Sequence, residues 1–492
     1  MNPTHYLACD LGAESGRVML ATLDAGRIAL TELHRFANVP LQQADALCWD
    51  IPRLFAELKT GLRLAAARRL PIAGLSVDSW GLDYLLLDEH GELLAPTFHY
   101  RDARNLRGIE RVRAALPWET VYEETGIQFM QINTLYQLAA ESPERLQRAR
   151  QLLPMADGFH FLLSGVARAE VSLASTTQVY NPRTRDWSEP LLRAFDLPRA
   201  LFPPIVPCGT RLGPLLPAIA DETGLGAVPV IASCSHDTAA AVAAVPAEGD
   251  DWAYLSSGTW SLIGVELPAP VINAQSRRLN FTNEIGVGHT TRLLRNVIGL
   301  WLVQECRRAW AAEGNDLDYD TLTQLAAASP PFAALINPAD ERFFKPDHMP
   351  RAIAQFCSET GQPAPATPSA FIRCALESLA LLYCRRLREV EQLTQRRVRR
   401  VHIVGGGSKN ALLNQFTADA TGCTVLAGPA EATALGNALV QALALGHLQS
   451  LAAARAVVRR SFAPQVFEPR DRAAWTEAAA RFQHIAPAEV VA

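Results

Sequence analysis

Residues 6–23, YLACDLGAESGRVMLATL, read as strand, glycine turn, strand. The apolar run ends on Asp10, and Gly12 and Gly16 follow at once, with Ser15 and Arg17 beside them. Glycine lets a turn fold tightly enough to aim several backbone N–H groups at one point, and a carboxylate at a strand end can receive a hydrated Mg²⁺. The stretch is therefore a candidate phosphate site. Taken alone, such a pattern is more often an ordinary hairpin.

The pattern returns at 253–267, AYLSSGTWSLIGVEL, again strand, small polar glycine turn and strand. Just ahead of it the polar segment 246–251, PAEGDD, breaks a helix and places the main boundary, dividing the chain into 1–247 and 248–492. Two such hairpins, each opening one half, predict a duplicated α/β architecture with a nucleotide between the halves.

Within the first half, residues 26–36 (GRIALTELHRF) read as a third antiparallel strand. Asp50 suits the N-cap of a helix in which Leu54, Leu58, Leu62 and Ala65 recur at helical spacing. IAGLSVD is a buried strand ending on Asp78, and LDYLLLDEHGELLAP a hairpin turning near Gly91. Between them SWGL sets Trp80 and Gly81 at a strand end, with HYRDARN (99–105) further on. An aromatic face with carboxylate and amide partners is how hydroxyl-rich ligands are held. Core packing for Trp80, and a solvated helix start for Arg101, Asp102 and Arg104, are equally good readings. From about 105 to 225 short helices are broken by prolines, and LFPPIVPCGTRLGPLLP (201–217) reads as extended connection.

PVIASCSHDTAAAVAAVPA (229–247) is strand, polar turn and alanine-rich helix, with His236 and Asp237 in the turn. Asp237 is either the helix N-cap or a general base at a strand's C-terminal end, where open α/β sheets place their chemistry. In the second half RLNFTNEIGVGHTTRLLRN (278–296) reads as a loop, followed by a helix over 296–312 that Asn296 would cap, with Gln304 off its apolar face. A long helix spans 369–393. The strand RRVHIVGG then leads into Gly405, Gly406 and Gly407 ahead of another helix. Neither a dinucleotide fingerprint nor a GxxxxGK[ST] loop is present, since Asn410 stands where the third glycine of the former would fall. A glycine-opened helix still attracts an anion or lets a purine lie against bare backbone. GPAEATALGNALVQALALG (428–446) is a turn and a small-residue helix able to pack closely, and the tail from about 461 ends in a short amphipathic helix.

Hydrophobic residues make up 49% and charged residues 20%, a soluble globular balance. With a formal net charge of −4 there is no basic face for nucleic acid or anionic membrane, and neither is expected as a partner. No apolar run approaches a membrane span, and Asp10 precedes any signal-peptide core, so a cytoplasmic setting is expected. The chain should work as a monomer or weak homodimer. Nine scattered cysteines without CxxC pairing read as buried thiols, although pairs such as Cys357 and Cys374 could meet in the fold. His236 and Asp237 are adjacent rather than at metal-ligand spacing.

Taken in order, DLGxxSGR, HDT, SSGTW and VHIVGGGSKN…ADATG…GPAEATALGN resemble the FGGY family of carbohydrate kinases over nearly the whole chain. SVDSWGLDYLLLD, YRDARN, SHDTAAAV, NFTNEIG and GLWLVQECRR are most similar to its L-rhamnulose-phosphorylating members. The resemblance implies the two-lobed actin-like fold shared by sugar kinases and heat-shock proteins, related to ribonuclease H, with a mixed five-stranded sheet in each lobe and ATP and sugar between them. It implies an ATP site from Ala13, Glu14, Ser15, Gly16, Arg17, Thr259, Gln304, Gly405, Gly406 and Gly407. Gly81, His236, Asp237, Thr238 and Asn296 would line the sugar pocket, Asp237 would be the base, and Asp10 would hold Mg²⁺ through water. The implied reaction forms L-rhamnulose 1-phosphate in L-rhamnose catabolism.

Two residues depart from the family pattern. Glu14 stands where a small hydroxyl residue is usual, so its side chain should turn away from the phosphates or nucleotide binding should suffer. Ile285 replaces a glycine in NFTNEIG, which bears on that loop's conformation. Two other readings stay open: a kinase for another ketose or deoxysugar, such as L-fuculose or xylulose, and a nucleotide-dependent binding or chaperone module of the same fold, which would have no use for a base at Asp237.

Overall fold

In the computed structural model, which describes residues 3–487, the opening apolar run is β1 (Thr4–Leu11), buried from His5 onward. It is buried because both faces of its sheet are covered. β1 pairs antiparallel with β2 (Ser15–Asp24), Asp10 opposite Arg17, and β2 pairs with β3 (Arg27–Ala37). Helix α1 (Ile51–Ala66) begins where the Asp50 carboxylate accepts from the Arg53 N–H at 3.0 Å. Its stripe of Leu54, Leu58, Leu62 and Ala65 packs under Leu7, Cys9 and Val18. Each leucine so buried contributes about 1.5–3 kcal/mol. β4 (Ile72–Ser79) runs parallel to β1 and sets Asp78 beside Asp10. Helix α2 (Met155–Ser164) covers it.

The first sheet is completed by β5 (Thr210–Pro214) and β6 (Pro229–Ala232), in the order β5-β6-β4-β1-β2-β3. The proline-rich 201–217 segment is thus partly an edge strand, where missing N–H groups are tolerated. The hairpin expected near Gly91 reduces to one bridge, Leu87 to Leu93; Tyr84–Leu87 pairs instead with Gln151–Pro154. Beyond β6 comes α3 (Asp237–Ala243).

The second sheet starts with β7 (Trp252–Ser257) and β8 (Trp260–Leu267). Residues expected as a loop form a hairpin, β9 (Thr282–Ile285) and β10 (Thr291–Ile298), whose two faces are both buried, Leu293 in the core of the second lobe and Leu294 in the core between the sheets. Asn296 is therefore a strand residue and not a cap; α4 (Trp301–Ala312) starts five residues later. Ile285 is buried against Val171 and Tyr180. The long helix α5 (Pro368–Thr394), strand β11 (Arg400–Val404), α6 (Ala411–Thr421), β12 (Thr424–Ala427), α7 (Ala432–Ala444) and β13 (Gln465–Phe467) follow. The sheet order is β9-β10-β8-β7-β11-β12-β13. The two main sheets thus have six and seven strands rather than five each.

Helices α3 and α7 lie between the sheets, sharing a core with Tyr6 and Ala21 of one and Trp252 and Tyr254 of the other. Their contact is close enough that a Cβ on Gly436 would fall 1.7 Å from Ala240 O, so only glycine fits. All nine cysteines are free thiols, Cys357 and Cys374 included. Among the described residues no helix is long and apolar enough to cross a membrane.

Candidate active site

One cleft of about 1260 Å³ is walled by residues of both halves. The turn between β1 and β2 forms one side. Gly12 N–H donates to Ser15 O at 3.0 Å, and Asn38 braces the turn by donating to Gly12 O and Glu14 O. Ala13, Glu14, Ser15 and Arg17 reach the cleft. Gly16 does not: it lies under the Phe36 ring, which an added Cβ would meet at 2.3 Å, so its small size serves packing of the hairpin. Asp10 also stands behind the wall, ion-paired to Arg17 at 2.7 Å. Arg17 in turn reaches Glu431, at the start of α7, at 2.9 Å, tying the hairpin to the other lobe.

The β7–β8 turn, with Thr259, faces the first turn, and Gly405, Gly406 and Gly407 sit against it. Gly405 has φ +85, and a Cβ on Gly407 would lie 2.1 Å from Ser257 Oγ; these glycines buy proximity of two backbones. Gln304, in the first turn of α4, completes this end, and its buried Oε1 has no hydrogen-bond partner. Glu14 does not turn away. Its Oε1 lies 3.5 Å from Thr259 Oγ1, across the cleft, because the β1–β2 turn points it inward.

At the other end Trp80 forms an aromatic wall with His99 and Tyr100. Behind it Trp49 packs on Trp80 at 4.3 Å and stacks on His99 at 4.2 Å. Both indole N–H groups donate to Asp83 Oδ2, at 2.6 Å from Trp49 and 2.8 Å from Trp80, and Gln137 donates to Oδ1. Burial pushes the Asp83 carboxyl up to about 6 against these donors. Gly81 abuts Thr176. Asn296 is held through its main chain and side chain by Gln128, whose Oε1 accepts both its N–H at 2.9 Å and its amide at 3.2 Å. Trp49, Asp83 and Gln128, together with Glu284, which also lines the cleft, lie outside the sequence-based expectation; only Asp83's place three residues after Trp80 offers a signal.

Asp237 lines the cleft as the first residue of α3, with His236 in the cap position. Its Oδ1 accepts from the Thr238 N–H and, at 3.0 Å, from Thr238 Oγ1. About a third of its side chain faces the cleft, 31%, while protein surrounds it otherwise. Burial, and then the Asp10 charge, push its carboxyl up to about 7. A carboxyl poised there accepts a proton at neutral pH and releases it again. Of the residues expected at the site, all but Gly16 and Asp10 share this one cleft.

Residues 5–244 match the model for the FGGY family of carbohydrate kinases, N-terminal domain, and 253–445 that for its C-terminal domain. The chain belongs to the FGGY family of carbohydrate kinases. This kinase chain is 42% identical to the rhamnulokinase of Bacteroides thetaiotaomicron, over 98% of its length and 99% of that protein. It is 39% identical to the rhamnulokinase of Bacillus subtilis, over 95% and 96%. In structure it is similar to ligand-bound xylulose kinase from Lactobacillus acidophilus (TM-score 0.79, 15% identity, 98% and 96% covered). It is likewise similar to Plasmodium falciparum glycerol kinase with ADP (TM-score 0.78, 15% identity, 99% of each chain). The fold is accordingly the two-lobed actin-like one.

Proposed function

We propose that the protein transfers the γ-phosphoryl group of ATP to the 1-hydroxyl of L-rhamnulose, giving L-rhamnulose 1-phosphate and ADP. The observation that carries this reading is that Asp237 lines the same cleft as the Trp80 wall and the two facing glycine turns. Similarity to rhamnulokinases over nearly the full chain favours L-rhamnulose over L-fuculose or xylulose. In this assignment Ala13, Glu14, Ser15, Arg17, Thr259, Gln304 and the glycines 405–407 take the nucleotide, Gly16 shaping the first turn from behind. Gly81, His236, Thr238 and Asn296 line the sugar pocket. In the same proposal the lobes are 1–247 and 248–492, dividing between α3 and β7, and the setting is the cytoplasm, without nucleic-acid or membrane partners.

Phosphoryl transfer proceeds through a loose transition state, so the protein mainly positions reactants and neutralises spreading charge. Backbone N–H groups at the two turns suit the phosphates. Asp237 takes the proton of the attacking hydroxyl as its oxygen bonds to phosphorus and the bond to the β-phosphate oxygen of ADP breaks. Asp10 raises the proton affinity of Asp78 and of Asp237, and Asp237 adds to that of Asp78, while Arg17 is paired with Asp10. Asp10, a carboxylate just behind the cleft wall, would hold Mg²⁺ through water, and the ion would supply charge neutralisation at the phosphates.

An ADP-release assay with Mg²⁺ over a panel of ketoses tests the assignment. L-rhamnulose should give the highest kcat/KM. Turnover of another ketose, with L-rhamnulose no better than buffer, would overturn it.

A further inference from the structure

His236 and Asp237 belong to the first lobe, but the side chain against the far edge of the imidazole does not. Arg292, on β10, is fully buried, and its terminal nitrogen lies 3.1 Å from His236 Nδ1. A guanidinium carries donors only and stays charged, so Nδ1 must offer its lone pair. In a neutral imidazole the proton then sits on Nε2, which is 3.3 Å from Asp237 Oδ1. Glu284 of β9 shares the cluster. Its Oε2 is 3.1 Å from the same Arg292 nitrogen and 3.4 Å from His236 Nδ1, so the guanidinium is nearer to Nδ1 than the carboxylate and takes the carboxylate's charge itself.

We propose that Arg292 is a positioning residue for phosphoryl transfer: donating to His236 Nδ1, it holds the imidazole as the Nε2–H tautomer, which donates to Asp237 Oδ1 and fixes the base. The inference rests on Asp237 being that base. Oδ1 already accepts from the Thr238 N–H and hydroxyl, and His236 Nε2 stands 3.3 Å from the same oxygen. Oδ2 is left to receive the substrate proton. Burial together with the Arg292 charge holds His236 well below the usual histidine range, in keeping with a neutral ring. Because Arg292 arrives on the β9–β10 hairpin, which is pinned to the first lobe by the Ile285 N–H bond to Ser175 Oγ at 2.9 Å, the base is oriented by the second lobe.

The charged groups around Asp237 are Asp10 of β1, Asp78 of β4, Glu284 of β9 and Arg292 of β10; Asp10 raises its proton affinity and Arg292 lowers it. Nitrogen NMR of the imidazoles in the wild-type full chain, with His236 assigned by comparison with His236→Asn, reads the tautomer directly. A protonated Nε2 and bare Nδ1 are expected, and a protonated Nδ1 would overturn the proposal. In Arg292→Met, kcat should fall at least about tenfold, short of the 10²–10⁴ typical of losing a base. The acid limb of its pH profile should move to higher pH while the KM for ATP holds, and Arg292→Lys should restore part of the rate. Wild-type kcat and pH profile in Arg292→Met would also overturn it. Where that variant fails to fold, Arg292→Met with Glu284→Gln removes both buried charges together. Turnover surviving in Asp237→Asn strikes the base assignment instead; turnover lost there but normal in Arg292→Met strikes only the role of Arg292.

Discussion

The side-chain amide of Asn437, on α7 beyond the lobe boundary, donates to Asp78 Oδ2 at 2.6 Å, while Asp78 Oδ1 is buried without a partner. Asp78 is fully buried, and burial, then Asp10, push its carboxyl well above the usual range. The same helix anchors Gln441, which donates to Leu7 O at 2.9 Å. Asn437→Ala removes Asp78's donor without filling the space. It should cost about 1–3 kcal/mol, the usual penalty for stranding a buried polar group, read as a lowered denaturation midpoint.

Asp237→Asn keeps the shape of the cleft but cannot accept the hydroxyl proton. Its kcat should fall by about 10²–10⁴, with ADP binding by calorimetry unchanged. Since the carboxyl is pushed up to about 7, wild-type kcat should rise with pH through neutrality, because the deprotonated form is the active one. A flat kcat from pH 5.5 to 8.5 would remove Asp237 from this role.

The same group ties stability to pH. Its folded proton affinity is raised above that of an unfolded aspartate, about 3.9, so the folded state keeps a proton that the unfolded state gives up. Its contribution is most favourable at low pH and is lost as pH rises from about 4 toward about 7. His99 and His160, held down to about 3 and about 4, act in the opposite direction below pH 6.5, so the whole-protein curve mixes both. The difference isolates Asp237: urea midpoints of Asp237→Asn should exceed those of wild type at pH 8, and the gap should narrow at pH 5.

Glu14 faces Thr259 where phosphate charge is expected. Glu14→Ser should lower the KM for ATP several-fold, about what one like charge is worth at this range in a wet cleft. A clear rise in that KM would mean the carboxylate helps to order the two turns.

Asp83 is the common acceptor of two buried indoles and an amide. Asp83→Ala should strand those donors at about 1–3 kcal/mol in stability. As the Trp80 wall loosens, the KM for the sugar should rise more than that for ATP, read by initial rates with each substrate varied.

Much of the fold can be read in the chain because its signals are local. Asp50 caps α1 as expected, and the stripe Leu54, Leu58, Leu62 faces the core. Both glycine turns also stand where expected, since alternation, capping and turn chemistry act over a few residues. Asn296 shows the limit of such signals: a polar residue before an apolar run looks like a cap, and only pairing with β8 makes it a strand residue. The edge strand at Thr210–Pro214 is hidden by the prolines in and around it, and Gly16 owes its identity to Phe36, twenty residues away.

By itself the sequence determined the duplicated α/β plan, the two turns and the residues with chemistry to offer, Asp10, Arg17, His236 and Asp237 among them. The tertiary structure alone decided how they meet. Glu431 reaches Arg17, Gln128 holds Asn296, Asp83 joins Trp49 to Trp80, and Arg292 touches His236. Apart from Trp80 and Asp83, these partners lie far apart along the chain, and a hydrogen bond depends on distance and direction in space, which periodicity and spacing do not carry.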